Sequence, residues 1–235
     1  NVLYNHVMDI RPDNFDESCR DHYIQSKGHS VEALYTVLAD KGFYPEAELD
    51  TLCRFGSHFV GHPTRHVNGI EHNTGALGHG LSVSVGLALA AKKDGCGGRV
   101  FTLLGDGELA EGSSWEALMA ASHYQLDNLT IIVDRNTLQI TAGTEEVMGL
   151  EPLADKFRAF GCAVRSCNGN DVDDLVRSLS TLPFEAGKPS LLLARTTKGK
   201  GVSFIEDTVK WHHRVPTDDE YRAAIQELDL AEAAL

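Results

Sequence analysis

Short apolar runs bounded by turn residues alternate along this chain with segments of helical periodicity. That alternation predicts an α/β fold, a mostly parallel sheet with helices on both faces. Two observations carry the prediction. The runs at 99–104, 129–133 and 190–194 (the last Ser-Leu-Leu-Leu-Ala) are apolar almost throughout, as strands buried on both faces are. Between successive runs lie segments with helical patterning, as parallel strands require for their crossovers. In open sheets of this kind, ligands sit beyond the carboxyl ends of the strands.

The remaining elements follow in order. A helix is predicted over 30–39, with Ser30 at the N-cap position and Gly42 just past its end, and another over 45–55, opening on Pro45 and acids. Residues 77–93 form a long segment of small residues suited to a helix packed on a sheet. Helices are predicted at 113–124, 153–160 and 172–179, a short strand at 163–166, and a polar helix from Thr217 to the end. Asn1-Val2-Leu3-Tyr4 reads like the middle of a helix, which predicts that residues precede Asn1. No internal repeat, low-complexity tract or linker interrupts the chain, so residues 1–235 are expected to form a single domain.

Bulk properties narrow the function. A formal net charge of -13 argues against non-specific nucleic-acid binding, which needs surplus Lys and Arg to neutralise phosphates. An anionic ligand must then be held by local groups: backbone amides, a metal or a few basic residues. No apolar run approaches the length of a membrane span, and the start lacks a signal-peptide pattern, so a cytoplasmic location is expected. The five cysteines, Cys19, Cys53, Cys96, Cys162 and Cys167, form no C-x-x-C pair. They are expected to be scattered reduced thiols, with Cys162 and Cys167 on opposite sides of a strand.

The sharpest motif is Gly105-Asp106-Gly107-Glu108, directly after the run ending Leu103-Leu104. The next run ends in Asp134-Arg135-Asn136. Asp106 and Asn136 thus leave one edge of the sheet with a single crossover helix between them. A carboxylate and an amide oxygen there make a hard, oxygen-only pair that suits Mg2+ (or Ca2+) shared with a diphosphate, whose oxygens and waters complete the shell. The flanking glycines permit close approach of backbone to phosphate. The carbonyl of Leu138 is the candidate for a further ligand. A strand end followed by ordinary turn chemistry is the bland alternative for Gly-Asp-Gly alone. A dinucleotide fingerprint is disfavoured because the third glycine is missing.

The full run, G-D-G-E-L-A-E-G-S-S-W-E-A-L followed by L-D-N-L-T-I-I-V-D-R-N, resembles the thiamine diphosphate signature of transketolases. S-K-G-H-S at 26–30 resembles the family segment whose histidine, here His29, sits over the cofactor. G-H-P at 61–63 resembles the substrate-channel segment and implies His62. T-G-A-L-G-H-G at 74–80 resembles T-G-x-L-G-Q-G, whose backbone lies along the cofactor and here includes Gly75, Ala76 and Leu77; His79 stands where Gln is usual. T-K-G-K-G-V-S-F followed by W-H-H-R-V-P resembles the segment with another active-site histidine. Aligning on Trp211 selects His212 and aligning on Pro216 selects His213, so both remain candidates.

The resemblance implies a thiamine diphosphate and metal-binding section of a transketolase, which moves a two-carbon ketol unit from a ketose (phosphate) to an aldose (phosphate). It implies a cofactor held by His29, Gly75, Ala76, Leu77, Gly105, Asp106, Gly107, Glu108 and Asn136. The metal falls to Asp106, Asn136 and Leu138, and proton transfer to His29, His62 and His212 or His213, helped by a pKa near neutrality. Glu111 suits the first turn of a helix by charge, and the resemblance places it at a subunit interface near a partner's cofactor-activating acid. The chain lacks the family's pyrimidine-binding and C-terminal domains and an upstream S-G-H-P segment. A split enzyme is therefore expected, assembled as a heterotetramer or larger dimer of dimers and inactive without a separate pyrimidine-domain partner; a fragment of a longer enzyme is the alternative. A 1-deoxyxylulose-phosphate synthase-like or oxo-acid dehydrogenase E1-like component shares G-D-G and the downstream Asn, but K-G-H-S with G-H-P favours transketolase. A non-catalytic protein retaining the fold is disfavoured by the intact Asp106 and Asn136 pair.

Other residues carry less. His58, His62 and His66 have the four-residue spacing of a zinc-binding helix face, but Gly56, Gly61 and Pro63 break any helix there. His6, His22, His66, His72 and His123 are expected to be structural or on the surface. Lys198 and Lys200 sit in a Gly-rich loop with solvated and substrate-facing roles both open, and Gln139 follows the metal loop toward the pocket.

Overall fold

The computed structural model describes residues 1–233. Five strands, β1 (His22–Gln25), β2 (Val100–Gly105), β3 (Leu129–Arg135), β4 (Ala163–Asn168) and β5 (Ser190–Arg195), form one sheet in the order β1-β2-β3-β5-β4. Every neighbouring pair is parallel. The predicted strands are all present. β1 went unpredicted: it has only four residues, His-Tyr-Ile-Gln, and no apolar run marks it.

Seven α-helices are described: α1 (Val31–Asp40), α2 (Gly80–Lys93), α3 (Gly112–His123), α4 (Thr144–Val147), α5 (Leu153–Ala159), α6 (Val172–Leu179) and α7 (Asp218–Glu232). Ser30 does occupy the N-cap of α1, but its hydroxyl donates to the Lys27 carbonyl and caps no amide. The segment predicted as a helix over 45–55 is a single 3-10 stretch, Glu46–Thr51, and the start of the chain forms one π-helical turn, Leu3–Val7. α2 begins three residues later than predicted, because Leu77, Gly78 and His79 turn at the site. α7 carries a complete capping box between Thr217 and Glu220, and positions 234–235 of its predicted extent lie outside the described residues.

The alternation of a pleated strand sorts the core. Ile131 and Val133 of β3, with Leu191 and Leu193 of β5, pack on one face against Leu81, Val85 and Ala88 of α2 and Ala117 and Leu118 of α3. Ile132, Leu192 and Ala194 pack on the other face with Leu179 of α6. Cys162 and Cys167 fall in these two opposite clusters, as their spacing predicts. The expectation of scattered reduced thiols is corrected at one pair: Cys19 and Cys96 are disulfide-bonded, with Cα atoms 5.1 Å apart. Each precedes a strand, and the pairing of His22 with Val100 brings these two approaches together across 77 positions. No helix among the described residues is long and apolar enough to cross a membrane.

Candidate functional site

The register of the sheet positions the site. Gly105 is opposite Asp134, so β2 and β3 end side by side, and Asp106 and Asn136 emerge next to one another at the carboxyl edge. Both are buried. Oδ1 of Asp106 accepts from the Gly107 amide (2.8 Å), while Oδ2 accepts from the Thr137 amide (2.7 Å) and from an Arg135 guanidinium nitrogen (2.9 Å). Burial pushes the Asp106 carboxyl above its ordinary value, against the pull of Arg135 and the two amides. The Asn136 amide donates to Asp134 (3.0 Å), and its Oδ1 accepts from the Leu138 amide (3.1 Å). Asp134 also accepts from Lys27 and Thr196. Burial pushes its carboxyl up, and these partners more than offset that, holding it below the usual carboxylate range.

Glu108 faces inward. One carboxylate oxygen accepts from Ser26 Oγ and from the Gly78 amide (2.9 Å), the other from the Gly105 amide (3.1 Å). A residue 2% exposed thus ties the end of β1, the loop before α2 and the end of β2 into one frame.

Beside these loops lies a cleft of about 440 Å³. It brings together most residues that the sequence singles out: His29, His62, Gly75, Leu77, Gly105, Asp106, Gly107, Glu108, Asn136, Leu138, Gln139, Lys198, His212 and His213. Ala76 and Glu111 do not line it. Glu111 is the exposed N-cap residue of α3, its side chain against Gly78. Sequence reasoning missed Lys27, Ile140 and Thr141 as cleft residues. Lys27 lies inside the quoted S-K-G-H-S segment, but nothing local signals its buried pairing with Asp134, which comes from 107 positions away.

The histidines form one wall. The rings of His29 and His212 stack at 5.2 Å, and His213 meets His212 edge-on at 4.7 Å. Gly75 has φ +124°, a conformation that glycine adopts without strain, and a Cβ there would lie 2.4 Å from the His62 ring. The expectation of pKa values near neutrality is corrected for His29 and His212. Burial, and then the positive charges of Lys27 and Lys198, push both down to about 4, so their rings are neutral at physiological pH. Nδ1 of His212 is buried without a hydrogen-bond partner among the described residues.

The donor set can be tested against the implied cofactor and cation. Among the described residues, no three His, Cys, Asp or Glu side chains cluster as a self-contained metal site. One buried carboxylate and one amide oxygen fit a cation only where a ligand supplies the remaining oxygens, as a diphosphate does. A Cβ on Gly107 would lie 3.0 Å from the Gln139 side chain, a tight approach that leaves little room for a side chain at that turn. The chemistry of the residues present suits the pair.

A parallel sheet with this cleft at its carboxyl edge has the layout of an α/β thiamine-diphosphate-binding domain. Residues 1–233 match the family model described as the transketolase, thiamine diphosphate binding domain. The chain belongs to the transketolase family, as its N-terminal section or subunit, and is thereby a transferase component. It is 51% identical over 227 residues to one of the subunits of the apulose-4-phosphate transketolase of Phocaeicola vulgatus, covering 97% of this chain and 81% of that protein. It is 42% identical over 229 residues to a 6-deoxy-6-sulfo-D-fructose transketolase subunit of a Clostridium species, covering 97% and 83%. Among solved structures it resembles Campylobacter jejuni transketolase, with a TM-score of 0.83 and 30% identity over 99% of this chain and 42% of that one.

Proposed function

We propose that the chain is the diphosphate-binding subunit of a split transketolase that transfers a two-carbon ketol unit from a ketose (phosphate) to an aldose (phosphate). The observation that carries this is the single cleft where the Asp106 and Asn136 pair meets His29, His62, His212 and His213. Relatives of comparable length are named as individual subunits of transketolases, two for apulose-4-phosphate and one for 6-deoxy-6-sulfo-D-fructose, which supports a separate partner and a sugar substrate.

Asp106 Oδ1, the Asn136 amide oxygen and the Leu138 carbonyl would hold Mg2+, and the backbone at Gly105 and Gly107 would take the diphosphate. Thiamine diphosphate, when bound, supplies the carbanion chemistry that breaks and makes the carbon–carbon bond. Gly75 and Leu77 line the cleft beside it, whereas Glu108 shapes the frame from behind through Gly78 and Gly105. His62 would bind substrate hydroxyls and move protons. His29 and His212, neutral at working pH, would donate and accept hydrogen bonds, with His213 beside them at the mouth. Glu111, outside the cleft, suits an edge that meets the partner. A cytoplasmic site of action and a single-domain organisation of 1–235 complete the proposal.

The test is calorimetric titration of the chain with thiamine diphosphate, with Mg2+ and with the cation chelated, followed by a ketose-cleavage assay with and without the pyrimidine-domain partner. Cation-dependent binding, and turnover only with the partner, are expected. Full turnover by the isolated chain would overturn the split reading, and an absence of cofactor binding would overturn the site.

A further inference from the structure

Arg135 is a buried cation that the cofactor chemistry does not call for. It ends β3 and is 8% exposed. One guanidinium nitrogen donates to Asp106 Oδ2 (2.9 Å) and Thr144 Oγ1 (2.6 Å), the other to Glu145 (2.8 Å) and Glu151 (3.1 Å). The planar fork is therefore fixed from both ends, and α4 anchors its far side. With the Thr137 amide also on Oδ2, that oxygen carries two donors, while Oδ1 carries only the Gly107 amide.

Resting on the reading of Asp106 as a cation ligand, we propose that Arg135 is a positioning residue that fixes how Asp106 binds the cation. Together with the Thr137 amide it fills Oδ2, which leaves Oδ1 as the oxygen to be given. A carboxylate restricted to one oxygen suits Mg2+, which demands near-octahedral geometry at about 2.0–2.1 Å. Ca2+ takes about 6–8 oxygens and accepts bidentate carboxylates, so an Asp106 whose Oδ2 kept only the Thr137 amide would serve it better. The guanidinium also places a positive charge beside the site. Glu145 and Glu151, each about half exposed, balance that charge on the side away from Asp106. Arg135 thus sets cation preference as well as the course of the loop that carries Gln139, Ile140 and Thr141 along the cleft.

The test uses the full chain with its pyrimidine-domain partner bound. Thiamine diphosphate binding is followed while Mg2+ or Ca2+ is titrated, for the wild type, Arg135→Met and the double variant Glu145→Gln/Glu151→Gln. The double variant keeps the arginine but slackens its outer anchor, and it decides the matter if Arg135→Met does not fold. In Arg135→Met the Mg2+ requirement is expected to rise about tenfold, the scale on which residues behind metal ligands act. The Ca2+ requirement should change much less, so preference moves toward Ca2+; the double variant should move the same way by a smaller factor. A role confined to holding the loop would weaken both cations alike, so an unchanged Mg2+ to Ca2+ ratio overturns the proposal while leaving the site standing. Cofactor binding by the wild type that needs no cation would instead overturn the assignment of Asp106, and this inference with it.

Discussion

The two sides of the cleft are built in opposite ways. On the strand-end side three polar side chains are engaged by their own chain: Asp106 by two amides and Arg135, Asn136 by Asp134 and Leu138, Glu108 by a hydroxyl and two amides. On the histidine side, the half-buried His29 and His212 stack on each other, His62 and His213 are exposed, and Nδ1 of His212 has no partner among the described residues. The difference teaches which side is rigid before any ligand arrives. Fixed amides and carboxylates suit a diphosphate and cation that must sit in one geometry. Neutral imidazoles with uncommitted nitrogens suit substrate hydroxyls, whose positions differ between ketose and aldose.

The sharpest way to break that comparison is to remove a ligand from the rigid side. Asp106→Ala, and likewise Asn136→Ala, should abolish cation-dependent thiamine diphosphate binding by calorimetry and leave the fold intact, because Arg135 keeps Glu145 and Glu151 as partners. Unchanged affinity in a folded variant would dissolve the distinction between the two sides.

On the other side, His62→Ala should leave cofactor affinity in place and lower ketose turnover by about 10²–10⁴-fold, the usual contribution of a positioned acid or base. Turnover within about twofold of the wild type would make His62 a packing residue against Gly75.

Glu108→Gln probes the frame rather than the ligands. Its NH2 would take the place of one carboxylate oxygen and turn a donor either toward the Gly105 amide or toward Ser26 and the Gly78 amide, all of which donate in the wild type. Unsatisfied buried donors cost about 1–3 kcal/mol, so chemical denaturation should show a loss of that order. A loss below about 0.5 kcal/mol would mean that the three loops do not depend on this carboxylate.

The smallest expected effect is on pH dependence. His29 and His212 lie at about 4 when folded, against 6.5 for an unperturbed imidazole. Between these values the unfolded chain binds more protons than the folded one, so stability falls as pH drops from 6.5 toward 4. Thermal melts across that range should fall less steeply for His29→Asn/His212→Asn than for the wild type. Parallel curves would show that these rings protonate as readily in the folded protein as in solution.

Much of the architecture was legible beforehand. The largely apolar runs at 99–104, 129–133 and 190–194, alternating with helical segments, read as strands covered on both faces, and Gly105-Asp106-Gly107 directly after one of them marks the carboxyl edge. β1 was not legible, since a four-residue strand ending in the polar Gln25 has no periodicity to read. Nor was the disulfide, because Cys19 and Cys96 become neighbours only through the pairing of β1 with β2.

The sequence by itself determined the fold class, the family motifs and most of the cleft residues, because periodicity and turn chemistry are local properties. Only the tertiary structure decided what each of them touches. Arg135 lies beside the singled-out Asn136, yet nothing local points it at Asp106, 29 positions away. Glu108 reads as part of a diphosphate motif, yet its carboxylate is spent on Ser26 and Gly78. His29 and His212 read as titrating near neutrality, yet are neutral because burial and two lysines converge on them. Charge, burial and hydrogen bonding are sums over neighbours in space, and the folding of distant segments onto one sheet edge supplies those neighbours.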